Sequence, residues 1–332
     1  MSTVEPPATR PEPLSARDLA VLVSAATSAP SVHNTQPWQF RAVADAVELH
    51  LDRDRGLPVA DPAHREAVIS CGAALEGLAL AMGHLHHRAE VTLLPDERDP
   101  DHLATVRRGA RRDPGARDER WYAALPARRM HRMPFARRPV SAHLVAELED
   151  AAGGGAVWCR EVRGPDQRWL LGEVSAQAAG ELLGDPSYRA ELADWTRRDA
   201  TRGDGVPFAS LGEAGYPVNG LPWGLYADAP VDVEAFAFDV FLLIGTGEDT
   251  VRDWLAAGRA LLRVLLHGAS RGLAASLLTQ PLEVPTARHV LVEALNLPGA
   301  PQVLLRVGHP TGRAPGSPRR SIDDVLTGEE AP

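Results

Sequence analysis

The sequence predicts a chain of mixed helix and strand, α/β or α+β, and three observations lead there. Apolar residues at helical spacing alternate along the chain with short apolar runs of strand length. Glycine and proline clusters fall between these segments. One stretch repeats: Ile69 to Leu75 aligns with Leu255 to Leu261 at an offset of 186 positions, which sets Gly72 beside Gly258. At the same offset Leu78 meets Val264, and Val91 to Leu94 meets Leu277 to Gln280, so a helix-then-strand unit is duplicated.

In order, residues 1–13 are proline-rich without apolar period and are expected to be a disordered lead-in. Ser15 caps a helix carrying Leu19, Leu22, Val23 and Ala26, which ends before Pro30. A polar turn follows, then strands at Trp38 to Val43 and Val47 to Leu51 that pair as a hairpin. A long apolar helix from Glu66 to about His84 leads to a strand at Ala89 to Leu94 and a polar connector from Asp96 to about Arg120. Beyond the arginine-rich segment 128–135 come a helix (Ser141 to Ala151), a glycine break, a strand (Val157 to Val162) and helices from about Asp166 to Leu183 and Pro186 to Arg198. Residues 203–230 combine Gly and Pro with Phe208, Tyr216, Trp223 and Tyr226, the composition of a lid. The last part reads strand (Ala235 to Ile244), helix (Thr250 to His267), strand (Ala274 to Leu278), helix (Thr286 to Leu295), strand (Pro301 to Val307) and a basic tail.

Composition narrows the function. The 332 residues are 44% hydrophobic and 24% charged, ordinary globular proportions, and no apolar run approaches the ~20 residues of a membrane span. A cytoplasmic protein is expected. A net charge of −9 argues against nucleic acid or an anionic membrane as partner and in favour of small molecules. All 35 basic residues are arginine, which removes lysine chemistry and leaves arginine forks and backbone amides for any anion site. Two cysteines, Cys71 and Cys159, form neither a disulfide framework nor a metal pattern.

Three signatures do not survive their context. Gly268 to Gly272 spells a nucleophile elbow, but a helix precedes Ser270 and a strand follows, the reverse of what the elbow needs. Gly245-Thr246-Gly247 lacks the third glycine and the later acid of a dinucleotide loop. His84 and His87 have no convincing partners, and no metal is expected. Two segments remain. Ser31, His33, Asn34, Thr35 and Gln36 form a polar turn able to hold a polyol or heterocycle edge. Arg128, Arg129 and Arg132 stand within five residues, and Arg319 and Arg320 form a second pair, either solvated patches or an anion site.

Residues 29–40, Ala-Pro-Ser-Val-His-Asn-Thr-Gln-Pro-Trp-Gln-Phe, resemble the Pro-Ser-x-x-Asn-x-Gln-Pro-Trp segment of the FMN-dependent nitroreductase superfamily. Arg128 to Arg132 resembles its Arg-Arg-Ser-x-Arg opening, and Arg271-Gly272-Leu273 through Gly308-His309-Pro310 to Arg320 resembles its C-terminal third. The variant resembled is the Acg-type subgroup, in which two nitroreductase-like halves are fused. The resemblance implies an α+β fold, a sandwich of helices around a central mixed sheet, with two pseudo-repeats in one chain mimicking the family's homodimer. The halves would be residues 14–120 and 121–332, intertwined in one globule, as a monomer or weak homodimer.

It further implies FMN as cofactor. Arg128 and Arg132 would hold its phosphate and ribityl chain, helped by Arg129, with Arg319 and Arg320 completing the clamp. Ser31, His33, Asn34 and Gln36 would approach from the other half, and backbone amides of Thr279 and Gln280 would face the flavin N5. Met130 replaces the family's serine, and Thr279-Gln280 replaces its usual Glu-Gly pair. Because each half lacks what the other supplies, one complete site is expected. The activity implied is NAD(P)H-dependent two-electron reduction of a nitro, quinone or other conjugated molecule, the flavin carrying the chemistry and no side chain acting as acid or base. Two alternatives share the site: an FMN-storing protein under a closed lid, and a dehydrogenase of a biosynthetic intermediate.

Overall fold

Each stretch of period-3.6 or period-2 apolar residues becomes the element its spacing asks for in a computed structural model that describes residues 13–197, 203–207 and 238–328. The elements are α1 (Ala16–Thr27), a one-turn 3-10 helix (Val32–Asn34), β1 (Trp38–Val43), β2 (Ala46–Leu51), α2 (Arg65–His84), β3 (His87–Leu93), β4 (His102–Arg111), α3 (Ala116–Ala124), α4 (Ala142–Ala151) and β5 (Val157–Glu161). They continue with α5 (Gly164–Gly184), α6 (Pro186–Trp195), β6 (Thr196–Arg197), β7 (Val206–Pro207), β8 (Val240–Thr246), α7 (Val251–Ser270), β9 (Ala274–Leu277), α8 (Gln280–Glu283), α9 (Pro285–Ala294), β10 (Ala300–Gly308), α10 (Ile322–Val325) and β11 (Leu326–Gly328). Of the expected lid, only residues 203–207 are described; Phe208, Tyr216, Trp223 and Tyr226 lie outside, as do residues 1–12 of the lead-in.

Two sheets result. The first runs β11-β1-β2-β4-β3 and is mixed, because β11 joins β1 in parallel with Phe40 opposite Leu326. The second runs β5-β8-β10-β9 and is antiparallel throughout. Its central strand β8 is buried along its whole length, and alternate residues serve two cores: Phe241 and Leu243 face α5, α8 and α9, while Val240, Leu242 and Ile244 face α4 and α7. The first sheet packs on α1, α2 and α3 around Trp38, Phe40, Leu75 and Leu78.

Helix α2 is apolar on nearly all sides and therefore buried rather than amphipathic. Length and composition alone would let it cross a membrane, which corrects the expectation that no segment approaches that limit, but most of it is buried inside the fold. It crosses α7 at the duplicated glycines. A Cβ on Gly72 would lie 2.4 Å from the Leu255 carbonyl oxygen, and one on Gly258 would lie 1.9 Å from that of Ile69. Ile69 and Leu255 are themselves equivalent under the 186-residue offset, so the crossing is reciprocal, as at a twofold interface.

The connector expected from Asp96 to Arg120 is corrected: it contains β4 and α3. Strand β4 sits inside the sheet between β2 and β3, yet only its first half is buried and its end is mostly arginine, so its apolar signal is short. The short α8 and the strand β11 are likewise additions.

Candidate functional site

The turn after α1 is strained in sequence order. His33, Asn34 and Gln36 adopt positive φ of 45°, 57° and 53°, rare for residues with a side chain and stable only where the surroundings hold them. Ser31 Oγ accepts a hydrogen bond from the Gln36 backbone amide at 3.0 Å. The Asn34 amide donates to the carbonyls of Gly205 (2.9 Å) and Pro318 (3.0 Å), and its Oδ1 accepts from Arg319 (2.9 Å). The Gln36 amide donates to Gly203 at 2.8 Å, and its Oε1 accepts from the Arg320 backbone amide at 2.9 Å.

Those bonds decide what the turn can offer. Asn34, Gln36 and Arg320, expected to contact a ligand, have their polar groups engaged in tying the turn to residues 203–205 and to the C-terminal tail. The Arg320 guanidinium also reaches the Asp324 carbonyl at 2.6 Å and lies 3.7 Å from Asp52. These bonds hold the turn in shape. Strand β11 explains the tail's position, since pairing on β1 draws residues 317–320 across residues 27–36.

The arginine segment arrives from the other side. Met130 bridges Ala275 of β9, and the His131 amide donates to the Ala275 carbonyl at 2.8 Å. Arg306, fully buried in β10, donates to the Met133 carbonyl at 2.9 Å and places its guanidinium 4.6 Å from the Phe135 ring. Held this way, Arg128 is 4% exposed, donates to the Ser28 carbonyl at 2.9 Å and to Met130 Sδ at 3.4 Å, and leaves its Nε without a partner. Arg319 donates to the carbonyls of Thr27 (2.7 Å) and Ala29 (3.2 Å). Arg129 donates to the carbonyls of Pro126 and Arg128. Arg132 has no hydrogen bond among the described residues.

Four guanidinium groups thus gather, and among the described residues none is paired with a carboxylate. Burial, and then Arg319, Arg129 and Arg132, bring Arg128 down to about 9. Burial brings Arg132 down to about 10, and burial with Arg129 and Arg132 does the same to Arg319. His33 is held at about 4 by burial and by Arg132, which makes it a neutral imidazole at the edge of the cluster. Like charges concentrated with little water and no counter-charge repel one another, which lowers the proton affinity of each.

Beside the cluster, residues 30–32 and 277–279 line one cleft whose walls include Ser31, Glu66, Ser70, Thr279, Leu282 and Gln302. Ser31 and Thr279, predicted from opposite halves, therefore line the same cleft. Thr279 and Gln280 open α8, where the first amides of a helix have no intrahelical acceptor. Sequence reasoning missed Glu66, a buried carboxylate that reads as an ordinary acidic residue in a helix's first turn. Arg306 was detectable as a lone charge within Val303 to Val307. A separate grouping, Glu48, His50 and His102, brings three metal-type donor atoms within 4.8 Å of one another, but Arg41 pairs with Glu48 at 2.6 Å.

No family model matches the chain. A Mycobacterium tuberculosis protein named "Putative NAD(P)H nitroreductase" is 34% identical over 321 residues, covering 94% of this chain and 91% of the relative. Another from the same organism, "Putative NAD(P)H nitroreductase acg", is 33% identical over 313 residues, covering 92% and 93%. The chain belongs to the nitroreductase family. Within it, Acg is among the relatives, and the chain is an oxidoreductase of nitroreductase type. Similar solved structures include a nitroreductase with bound FMN from Bacteroides fragilis (14% identity, 62% of this chain and 97% of that one, TM-score 0.40). A nitroreductase-like family protein from Bacillus cereus is also 14% identical, covering 64% and 96%, with TM-score 0.40.

Proposed function

We propose that the chain binds one FMN and uses it for NAD(P)H-dependent two-electron reduction of a nitro, quinone or other conjugated small molecule. The observation that carries this reading is the cluster of Arg128, Arg129, Arg132 and Arg319, buried or half-buried beside a cleft and unmatched by carboxylate among the described residues. The donors present fit a phosphate: Arg128 Nε is buried and unpartnered, and Arg132 is free of hydrogen bonds among the described residues. Guanidinium forks bind such a group bidentately, and a dianion would relieve the mutual repulsion that lowers their proton affinity.

FMN, when bound, supplies the hydride chemistry. The chain's own residues bind and orient. Arg128, Arg132 and Arg319 neutralise the phosphate, with Arg129 at the rim. Ser31 offers a hydroxyl to the cleft and the neutral His33 an imidazole at the edge of the arginine cluster, while Thr279 lines the same cleft and, with Gln280, opens α8 with N–H groups. Asn34, Gln36 and Arg320 keep the strained turn in place.

The reciprocal crossing at Gly72 and Gly258 supports reading the chain as two fused halves, with the turn from the first and the arginines, the Thr279 loop and the tail from the second. One site per chain follows. The test is the visible spectrum of the purified protein before and after anaerobic NADPH or NADH: a flavin spectrum that bleaches supports the reading, and a yellow protein that neither nicotinamide bleaches refutes it.

A further inference from the structure

The cleft wall carries a carboxyl group that the mechanism above does not use. Glu66 is 6% exposed; one carboxylate oxygen accepts from Arg65 at 2.8 Å, its side chain has no other hydrogen-bond partner among the described residues, and the residue lines the same cleft as Thr279. The charged groups facing it are Arg65 beside it, Asp61 from the preceding loop, Glu283 of α8 and Arg288 of α9. Arg288 is matched by Asp249 at 2.7 Å, and Arg65 is shared with the carbonyls of Gln302 and Leu282. Three carboxyl groups in a nearly dry place thus face Arg65, itself shared with two carbonyls, and His64 beside Asp61, a balance that disfavours ionisation of Glu66.

Reduction by NAD(P)H needs such a proton. An acceptor that has received hydride has gained two electrons and one proton, and its newly anionic oxygen must take a second proton to finish as the neutral product. We propose that Glu66 is the acid that delivers it, an inference that rests on the FMN reading of this cleft. The O–H bond of the Glu66 carboxyl breaks, an O–H bond on the acceptor forms, and the carboxylate left behind recovers a proton from solvent. Overall, NAD(P)H and one proton convert the acceptor and leave NAD(P)+.

Glu283 is a positioning residue. It accepts a hydrogen bond from Tyr188 at 3.2 Å, keeps one oxygen without a partner, and by its like charge disfavours ionisation of Glu66. Burial and Glu283 hold Glu66 well above the usual carboxylate range, in agreement with that charge balance.

The test begins on the flavin-free chain with 13C-labelled glutamate side chains. A carboxyl resonance in its protonated position at pH 7 that is lost in Glu66→Gln and retained in Glu283→Gln is expected; the absence of any such resonance overturns the proposal. In the flavin-loaded protein, Glu66→Gln should retain flavin and slow the acceptor half-reaction about 100-fold more than the nicotinamide half-reaction. Equal slowing of both, or of neither, overturns it. Should Glu66→Gln not fold, Glu283→Gln serves: it should move both the Glu66 titration and the alkaline limb of the acceptor rate, where the acid is lost, to lower pH, and an unmoved limb counts against Glu66. A wild-type chain that holds the proton but takes up no flavin defeats the FMN reading instead, and leaves Glu66 without an acceptor to protonate.

Discussion

Replacing Arg128 by methionine should act in opposite directions on the ligand-free and the loaded protein. Without a ligand, Arg128 is a buried cation beside three others, and its fall to about 9 from 12.5 corresponds to a penalty of several kcal/mol on the charged form. That penalty is present in full below about pH 9 and is relieved as pH rises further, because the unfolded chain then binds more protons than the folded one. Methionine removes the penalty and keeps much of the volume, at the cost of one hydrogen bond to Ser28, about 1–3 kcal/mol. The ligand-free variant should therefore melt no lower than wild type. Loss of a charge-assisted contact to phosphate, about 1.5–3 kcal/mol, should weaken FMN at least tenfold. Thermal melts of flavin-free protein and titration by flavin fluorescence measure the two effects. A variant that melts well below wild type and binds FMN unchanged would show that Arg128 is only a tie to Ser28.

The other expectations are independent of that one. Arg319→Ala should also weaken FMN at least tenfold, whereas Arg107→Ala and Arg108→Ala on β4 should leave its affinity unchanged; equal losses would indicate general electrostatics. Gly258→Ala places a methyl 1.9 Å from a backbone oxygen and should lower Tm by on the order of 10 °C, checked by circular dichroism. Burial pushes Glu283 up to about 7, so its share of stability is full below about pH 4.5 and is lost as pH rises toward 7. Glu283→Gln should flatten the decline across that window in denaturant titrations. Arg306→Met removes the tie to the Met133 carbonyl and should weaken FMN although Arg306 lies in β10, behind the arginine segment, with wild-type affinity as the contrary result.

Much of this arrangement was legible because it is written in local pattern. Ser15 caps α1 by accepting from the Asp18 amide at 3.1 Å, and the apolar run of β8 is buried throughout. The segments singled out at 31–36, 128–132, 279–280 and 319–320 do converge. What stayed hidden depends on contacts distant in sequence. Strand β4 is half charged and owes its place to partners on both sides, and β11 has only three residues, so neither carries a pattern of its own. Side-chain role was harder still. Asn34 and Gln36 have the chemistry of ligand contacts, and the structure also ties them to Gly205 and Gly203, partners far away in sequence. Glu66 escaped notice because its unusual neighbour Glu283 lies 217 positions away.

The central claim is that two incomplete halves assemble one phosphate-binding flavin site, and flavin released by heat, counted against protein, tests it most directly. One FMN per chain is expected in protein purified or reconstituted with excess FMN. Two per chain would contradict the complementary halves, and none would contradict the assignment of the four arginines to a flavin phosphate.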